Sequence, residues 1–541
     1  MGAIRTSTRR RWLWLTVVLV IALIAAACGS DDDGSSSTST DDKNPAADPN
    51  GTVVLAADLT ALGGVRLDPL VAPSPNDFVY QSMIFGSLLW QAPDGSYEPG
   101  LASEVKVADP QTIDITLRKG LKFSDGTTLD AAAVKTSLDR HRTHKESSRA
   151  SELAPVASVK AVDPATVQLK LSKPFAPLTA QLADRSGMVM SPKQLSKLGD
   201  KFANDPVCVG PFKFSERTES DRIVLERAPD YYDAAKVKLD RLIFKVITES
   251  SARASNLRSQ DVNVIDRLEP TDLPTIKKDS KLQTLAVTSL GYQGVTVNLG
   301  NKDGLGKPPK PLNTPLAKDP KLREAFDLAL DRKGIAKIVY NDGVVPGCGP
   351  ISPVNPLRPE GEECPARDLE KAKQLVDESG ASKPVPVTMM LNTDAVTLRL
   401  GEVIQAMTKE AGFAVKLQPT EFTSALDKGD AGDYDTFQLG WSGRVDPDGD
   451  IYEFAASKGS LNIAGYDSGK LDALLDKARQ SSDDAERKDL YKQAVDVINK
   501  DRPLIYLFHE KYITGAGKDV VGLKVFGDGL LRFKEAGLAA G

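Results

Sequence analysis

Histidine is the scarcest informative residue here, with three copies in 541 residues: His141, His144 and His509. A Ser-His-Asp hydrolase needs a histidine base beside its nucleophile. The run Gly440-Trp441-Ser442-Gly443-Arg444 comes one residue short of a nucleophile elbow, and has little to pair with. Its last position demands a small residue in a strained turn, and Arg444 stands there. His141 and His144 are spaced to share a helix face, but no cysteine or paired acid flanks them. A solvated surface is expected there rather than a metal site. No dinucleotide fingerprint or P-loop occurs. No catalytic residue, metal ligand or cofactor is therefore assigned.

Concentrated basic charge is missing too. The formal charge is −5, and nucleic-acid binding, which wants a basic patch, is not expected. There is only one long apolar run, Trp12 to Ala27, so nothing later in the chain should span a membrane. Only four cysteines occur: Cys28, Cys208, Cys348 and Cys364. Outside the apolar run there are just two tryptophans, Trp90 and Trp441.

The first residues carry Arg5, Arg9, Arg10 and Arg11 with no acid before Cys28. Basic, then apolar, then small is the order of a secretory signal, expected over residues 1–27. The run falls short of the roughly 20 residues a membrane span needs. Ala25-Ala26-Ala27-Cys28-Gly29 resembles the lipobox of bacterial lipoproteins, which implies a diacylated Cys28; two acyl chains give stable anchoring. The twin arginine leaves the export route open between the general secretory and folded-protein pathways. Residues 28–50 are polar and small, a flexible tether reaching roughly 25 Å. Without the four signal arginines the charge is nearer −9.

In an oxidising compartment, Cys348 and Cys364 are the natural disulfide pair. They flank Gly349-Pro350-Ile351-Ser352-Pro353, and closing that loop contributes about 3 kcal/mol in the chain-entropy model. Cys208 is then a buried, unpaired thiol, although another pairing stays open.

The body alternates short strands with helices. Ile113, Ile115 and Leu117 alternate with polar neighbours, as do Val167, Leu169 and Leu171, and Asp125-Gly126 makes a turn. Helices are expected over 130–140, 253–258, 322–340, 371–379, 398–411 and 471–479. Further strands are expected over 223–226, 242–247, 262–265, 387–391, 414–418 and 436–439. Alternation of this kind argues α/β layers with largely parallel sheets.

Specific blocks carry a resemblance across nearly the whole body. Pro99-Gly100-Leu101-Ala102 is followed by Leu117-Arg118-Lys119-Gly120-Leu121-Lys122-Phe123-Ser124-Asp125-Gly126-Thr127. Val209-Gly210-Pro211-Phe212, Leu322-Arg323-Glu324-Ala325-Phe326, Gly440-Trp441-Ser442-Gly443 and Arg502-Pro503-Leu504-Ile505-Tyr506-Leu507 come next, in order. Together they resemble the solute-binding lipoproteins of peptide-type (dipeptide, oligopeptide and nickel, family 5) ABC importers. The resemblance implies a two-lobed, periplasmic-binding-protein-like α/β fold with mixed sheets, closing over a ligand about a hinge. Lobe I would be 51–97 with 205–297 and 510–541, with an extra subdomain at 98–204. Lobe II would be 298–509. Hinge strands would lie near Val295 to Asn298 and Tyr506 to His509. The implied partners are ABC permease and ATPase subunits and a peptide or small-molecule ligand; the protein would be a monomer on the outer face of the cytoplasmic membrane.

Trp441 ends a strand before a polar loop, which suits a platform for an organic ligand. Trp90, after Ser87-Leu88-Leu89, reads as core. In peptide binders of the family an Asp three residues beyond that tryptophan holds the peptide's ammonium, and Arg444 occupies the corresponding place. A guanidinium suits a carboxylate or phosphate instead. Either Asp446 or Asp448 takes the ammonium, or the ligand is a non-peptide anion (opine-like or sugar-phosphate), or Arg444 pairs with those acids and only shapes the loop. Tyr292 and Tyr452 are further candidate walls.

Overall fold

The computed structural model describes residues 51–59, 66–71, 75–92, 95–361 and 363–539. The expected signal, Cys28 and the tether lie outside them. No helix among the described residues is long and apolar enough to cross a membrane.

Aliphatic and β-branched runs pair into one sheet of twelve strands. Its path is Phe413–Pro419, Val385–Leu391, Thr436–Trp441, Tyr292–Val297, Leu504–Gly517, Val264–Ile265, Gly51–Ala57, Leu239–Val246, Arg222–Arg227 and Phe212–Thr218. Leu282–Thr288 and Val344–Pro346 also pair with Leu504–Gly517. The expectation of largely parallel sheets is corrected. Gly51–Ala57 and Val385–Leu391 have parallel neighbours, and the other pairings are antiparallel. Periodicity marks a strand but not its direction, and mixed sheets are common among large ones.

Leu504–Gly517 organises the molecule. Its first half supplies Ile505, Leu507 and Phe508 to a core with Val295, Phe326 and Ile404. Its second half supplies Tyr512 and Ala516 to another core with Leu55, Phe244 and Phe533. One continuous strand thus serves two separate cores, with Tyr292–Val297 beside its first half. A third core lies on a four-stranded antiparallel sheet ordered Ala102–Asp109, Thr112–Leu117, Thr166–Leu171, Val156–Asp163. Ile113, Ile115 and Leu117 face that core with Val134 and Leu138 of the helix Ala131–Thr143. Asp130 caps this helix by accepting from the Ala133 N–H, an interaction worth about 1 kcal/mol.

The expected helix over 322–340 is two, Pro320–Leu328 and Arg332–Tyr340. Asp331 accepts from the Gly334 N–H and starts the second. The longest helix, Asp484–Asp501, was not expected. Its buried stripe includes Arg487 and Tyr491 among Leu490, Ala494 and Ile498, so polar residues interrupt the apolar period. His141 is fully buried, not solvated: Nε2 lies 3.2 Å from the Met188 carbonyl oxygen. His144 pairs instead with Asp200 at 3.2 Å. Trp90 is half-buried rather than core, and donates from Nε1 to the Tyr232 hydroxyl. Cys348 and Cys364 are disulfide-bonded with Cα atoms 5.3 Å apart, and Cys208 is buried and free.

Candidate ligand-binding site

The strand Thr436–Trp441 lies antiparallel to Tyr292–Val297, which places Trp441 opposite Tyr292. The chain then turns through Gly443 at φ +84°, where a Cβ would meet the Gly291 nitrogen at 2.2 Å. Only glycine fits, so the loop is delivered tightly against the strand end. The helix Asp448–Ala455 follows. Gly449 leaves the space that the Arg444 side chain fills, since a Cβ there would meet Cγ of Arg444 at 2.7 Å.

This loop forms one wall of a cavity of about 630 Å³, contributing Ser442, Gly443, Arg444 and Asp446. Tyr97, Gln181, Asp184 and Arg185 form another wall. Tyr97 comes from the short hairpin Leu89–Gln91 with Tyr97–Pro99. Asp184 and Arg185 follow the helix Leu178–Ala183 of the four-stranded body. Nothing in the linear sequence distinguishes these residues, because their neighbours in space are some 260 positions away.

Asp184 is the electrostatic centre of the cavity. Burial alone would raise its pKa, but Arg185, Arg444 and Arg149 overcome that penalty and hold it at about 2. Arg185 Nε is 3.1 Å from one carboxylate oxygen and Arg444 Nε 3.9 Å from the other. Arg149 donates to Glu152 at 2.6 Å, and Ser186 donates to the second Glu152 oxygen, which fixes this side of the wall.

Arg444 also lies 4.5 Å over the Trp441 ring. Its backbone N–H donates to Asp450 at 2.7 Å, and Nη1 donates to the Gly443 carbonyl at 2.8 Å. Burial pushes the Asp450 carboxyl well up, against the opposing pull of Arg444. Trp441 does not line the cavity. One face carries Arg444, and Phe454 packs against it at 4.8 Å. Its part in the site is as the shelf beneath Arg444.

The two aspartates expected to compete for an ammonium are both held by arginines. Arg487 Nη2 donates to both oxygens of Asp446 at 2.7 and 2.9 Å, and Tyr491 adds a hydroxyl at 3.3 Å. Arg479 grips Asp448 through Nε at 2.6 Å and Nη2 at 2.9 Å. Even so, burial pushes Asp448 up to about 6. Arg444 pairs with neither acid, which sets aside one of the three alternatives for this loop. Both helices, Asp448–Ala455 and Asp484–Asp501, dock through these pairs, which makes the acids supports of the wall.

Tyr292 is buried, with its ring 4.9 Å from Tyr506 and 6.2 Å from Phe454. It borders a separate, mostly apolar cavity of about 720 Å³ with Phe437 and Leu504. Tyr452 stacks under the Arg479 guanidinium at 3.0 Å. Neither tyrosine reaches Arg444. Around the rim, the Ala176 N–H donates to the Arg479 carbonyl at 2.7 Å, and Lys173 lies 3.9 Å from Asp476.

Comparison with known proteins gives this geometry its context. The model for bacterial extracellular solute-binding proteins, family 5 (middle region), matches residues 96–462. The glutathione-binding protein GsiB of Salmonella typhimurium is 27% identical over 444 residues, covering 80% of this chain and 84% of that one. The oligopeptide-binding protein AppA of Bacillus subtilis, solved with a nonapeptide, is 23% identical with a TM-score of 0.77, covering 91% of this chain and 100% of that one. The binding protein AgaA of A. tumefaciens R10, solved with agropinic acid, is 25% identical with a TM-score of 0.75, covering 91% and 99%.

Proposed function

Because this chain belongs to the bacterial extracellular solute-binding proteins of family 5, we propose that it captures a peptide or similar small zwitterion between Asp184 and Arg444. It is an extracytoplasmic solute-binding protein of an ABC importer and not an enzyme. Permease and ATPase subunits carry out the transport. Residues 98–204 bring Asp184 from one side, and the 298–509 lobe brings Arg444 from the other. The remaining lobe is 51–97 with 205–297 and 510–541. Leu504–Gly517, which serves both large cores, is the hinge strand that lets them close. Cys28 tethers the body to the membrane.

One observation carries the ligand reading. An ionised carboxylate and a guanidinium stacked on Trp441 face one cavity from two walls. A solute with an ammonium and a carboxylate can separate them and satisfy both. Native mass spectrometry of protein purified without refolding tests this, since a closed receptor retains its ligand. A bound zwitterion supports the reading; absence of any retained solute, with no response to a peptide panel, counts against it.

The second reading is a non-peptide anion, opine-like or sugar-phosphate. It is favoured by Arg444 standing where a peptide receptor carries an acid, and by the agropinic acid held by AgaA. A retained mass without an amine distinguishes it.

A further inference from the structure

A second groove, larger than the cavity between Asp184 and Arg444, adjoins it. This groove, of about 1040 Å³, lies on the other side of the hairpin that carries Tyr97, and Gln91 lines both spaces. The segment from Lys524 to Arg532 is shared in the same way. Asp528 and Leu530 face the smaller cavity, and Phe526 and Arg532 face the larger. The two spaces therefore adjoin along one hairpin and one loop.

The larger groove has a built interior. Trp90 and Tyr232 form its aromatic wall, locked together by the 3.0 Å hydrogen bond from the indole N–H to the phenol oxygen. Arg118 lies 4.9 Å over the Tyr232 ring and donates to the carbonyls of Gly100 and Pro99. Among the described residues no carboxylate forms an ion pair with Arg118. Lys524 is paired with Glu535 and Lys534 with Asp233, each at 2.9 Å. Of the five basic side chains in the lining, Lys236 also pairs with Asp233 and Arg532 with Asp528, which leaves Arg118 as the charge without an acidic partner among the described residues. A half-buried tryptophan in such a groove is an unusual use of apolar surface, and a ligand is what would cover it.

The geometry points to this groove as a second compartment of the ligand site, taking an aromatic or apolar group that carries a negative charge. The inference rests on the solute-capture reading above and extends it. Aromatic stacking and an unneutralised guanidinium select that chemistry together, where either alone would not.

Phenyl phosphate is the probe, titrated into the full chain by calorimetry, with inorganic phosphate and phenol as its two halves. Saturable binding at least about tenfold tighter than either half is expected. Trp90→Leu and Arg118→Gln should each weaken it about fivefold or more, with circular dichroism unchanged. Absence of saturable binding overturns the proposal. So does binding that survives both groove variants. Failure of solute capture itself reads differently, as no retained mass in the native spectrum while phenyl phosphate still binds.

Discussion

Arg444 Nε stands 3.9 Å from the Asp184 carboxylate across the cavity while its guanidinium lies 4.5 Å over Trp441. The two residues lie 260 positions apart in the chain. Their approach is close enough for attraction yet too long for a hydrogen bond. A ligand that inserts between them exchanges one weak contact for two charge-assisted ones.

Arg444→Ala should weaken binding of the retained solute, or of an anionic panel member, about tenfold or more, roughly 1.4 kcal/mol. Titration followed by tryptophan fluorescence measures it. Thermal stability should fall less than in Asp446→Asn, because the side chain bonds only Ser442 and Gly443, stacks on Trp441 and stays 3.9 Å from Asp184. Unchanged affinity would make Arg444 part of the loop's own scaffold.

Asp446→Asn should act on stability instead. It removes the charge partner of Arg487, whose side chain is 6% exposed, and breaking one side of a buried pair costs about 3–5 kcal/mol. Urea unfolding reads the loss. A stability change under about 1 kcal/mol together with abolished ligand binding would return Asp446 to the ligand.

Acid should act through opposing groups: each buried histidine costs stability as the pH falls, while Asp448, raised to about 6 by burial, restores some between pH 6 and 3.8. Burial lowers His141 and His509 from 6.5 to about 4. From pH 6.5 down to 4 the unfolded chain therefore binds protons the folded chain refuses. Stability falls by about 1.4 kcal/mol per pH unit for each histidine, to about 3 kcal/mol each. Asp184 follows: its depressed pKa contributes stability above its ordinary 3.8, lost as the pH drops toward 2. Unfolding free energies of His141→Gln, measured between pH 7 and 4, should show a shallower slope than the parent. An identical slope would contradict the burial argument.

Reducing the Cys348–Cys364 bond should lower stability by about 2–4 kcal/mol, because it frees a 16-residue separation in the unfolded chain. Thermal melts with and without reductant, alongside the Cys348→Ser/Cys364→Ser double variant, measure it. Cys208, buried and raised in pKa by that burial, should not react with a thiol reagent until the chain unfolds.

Much of the fold was legible because its elements are local. Ile113, Ile115 and Leu117 alternate in sequence and alternate in burial. Asp130 announces a helix start and caps one. The family blocks around Phe123 and Trp441 gave the receptor class. The site was less legible. Trp441 was found by its position at a strand end, but its role under Arg444 depends on a ring contact that no spacing encodes. For Asp446 and Asp448 the sequence pattern does not show that Arg487 and Arg479, from helices 31 or more residues downstream, hold them.

By itself the sequence determined the local elements, the paucity of histidine that removes hydrolase chemistry, the cysteine pair and Arg444 as the departure from the peptide-receptor pattern. Only the tertiary structure decided which charges meet. Asp184, Arg185 and Tyr97 face Arg444 because segments far apart in the chain line one cavity. Electrostatic partnership depends on distances of a few ångströms through space, whereas a sequence records only order along the chain.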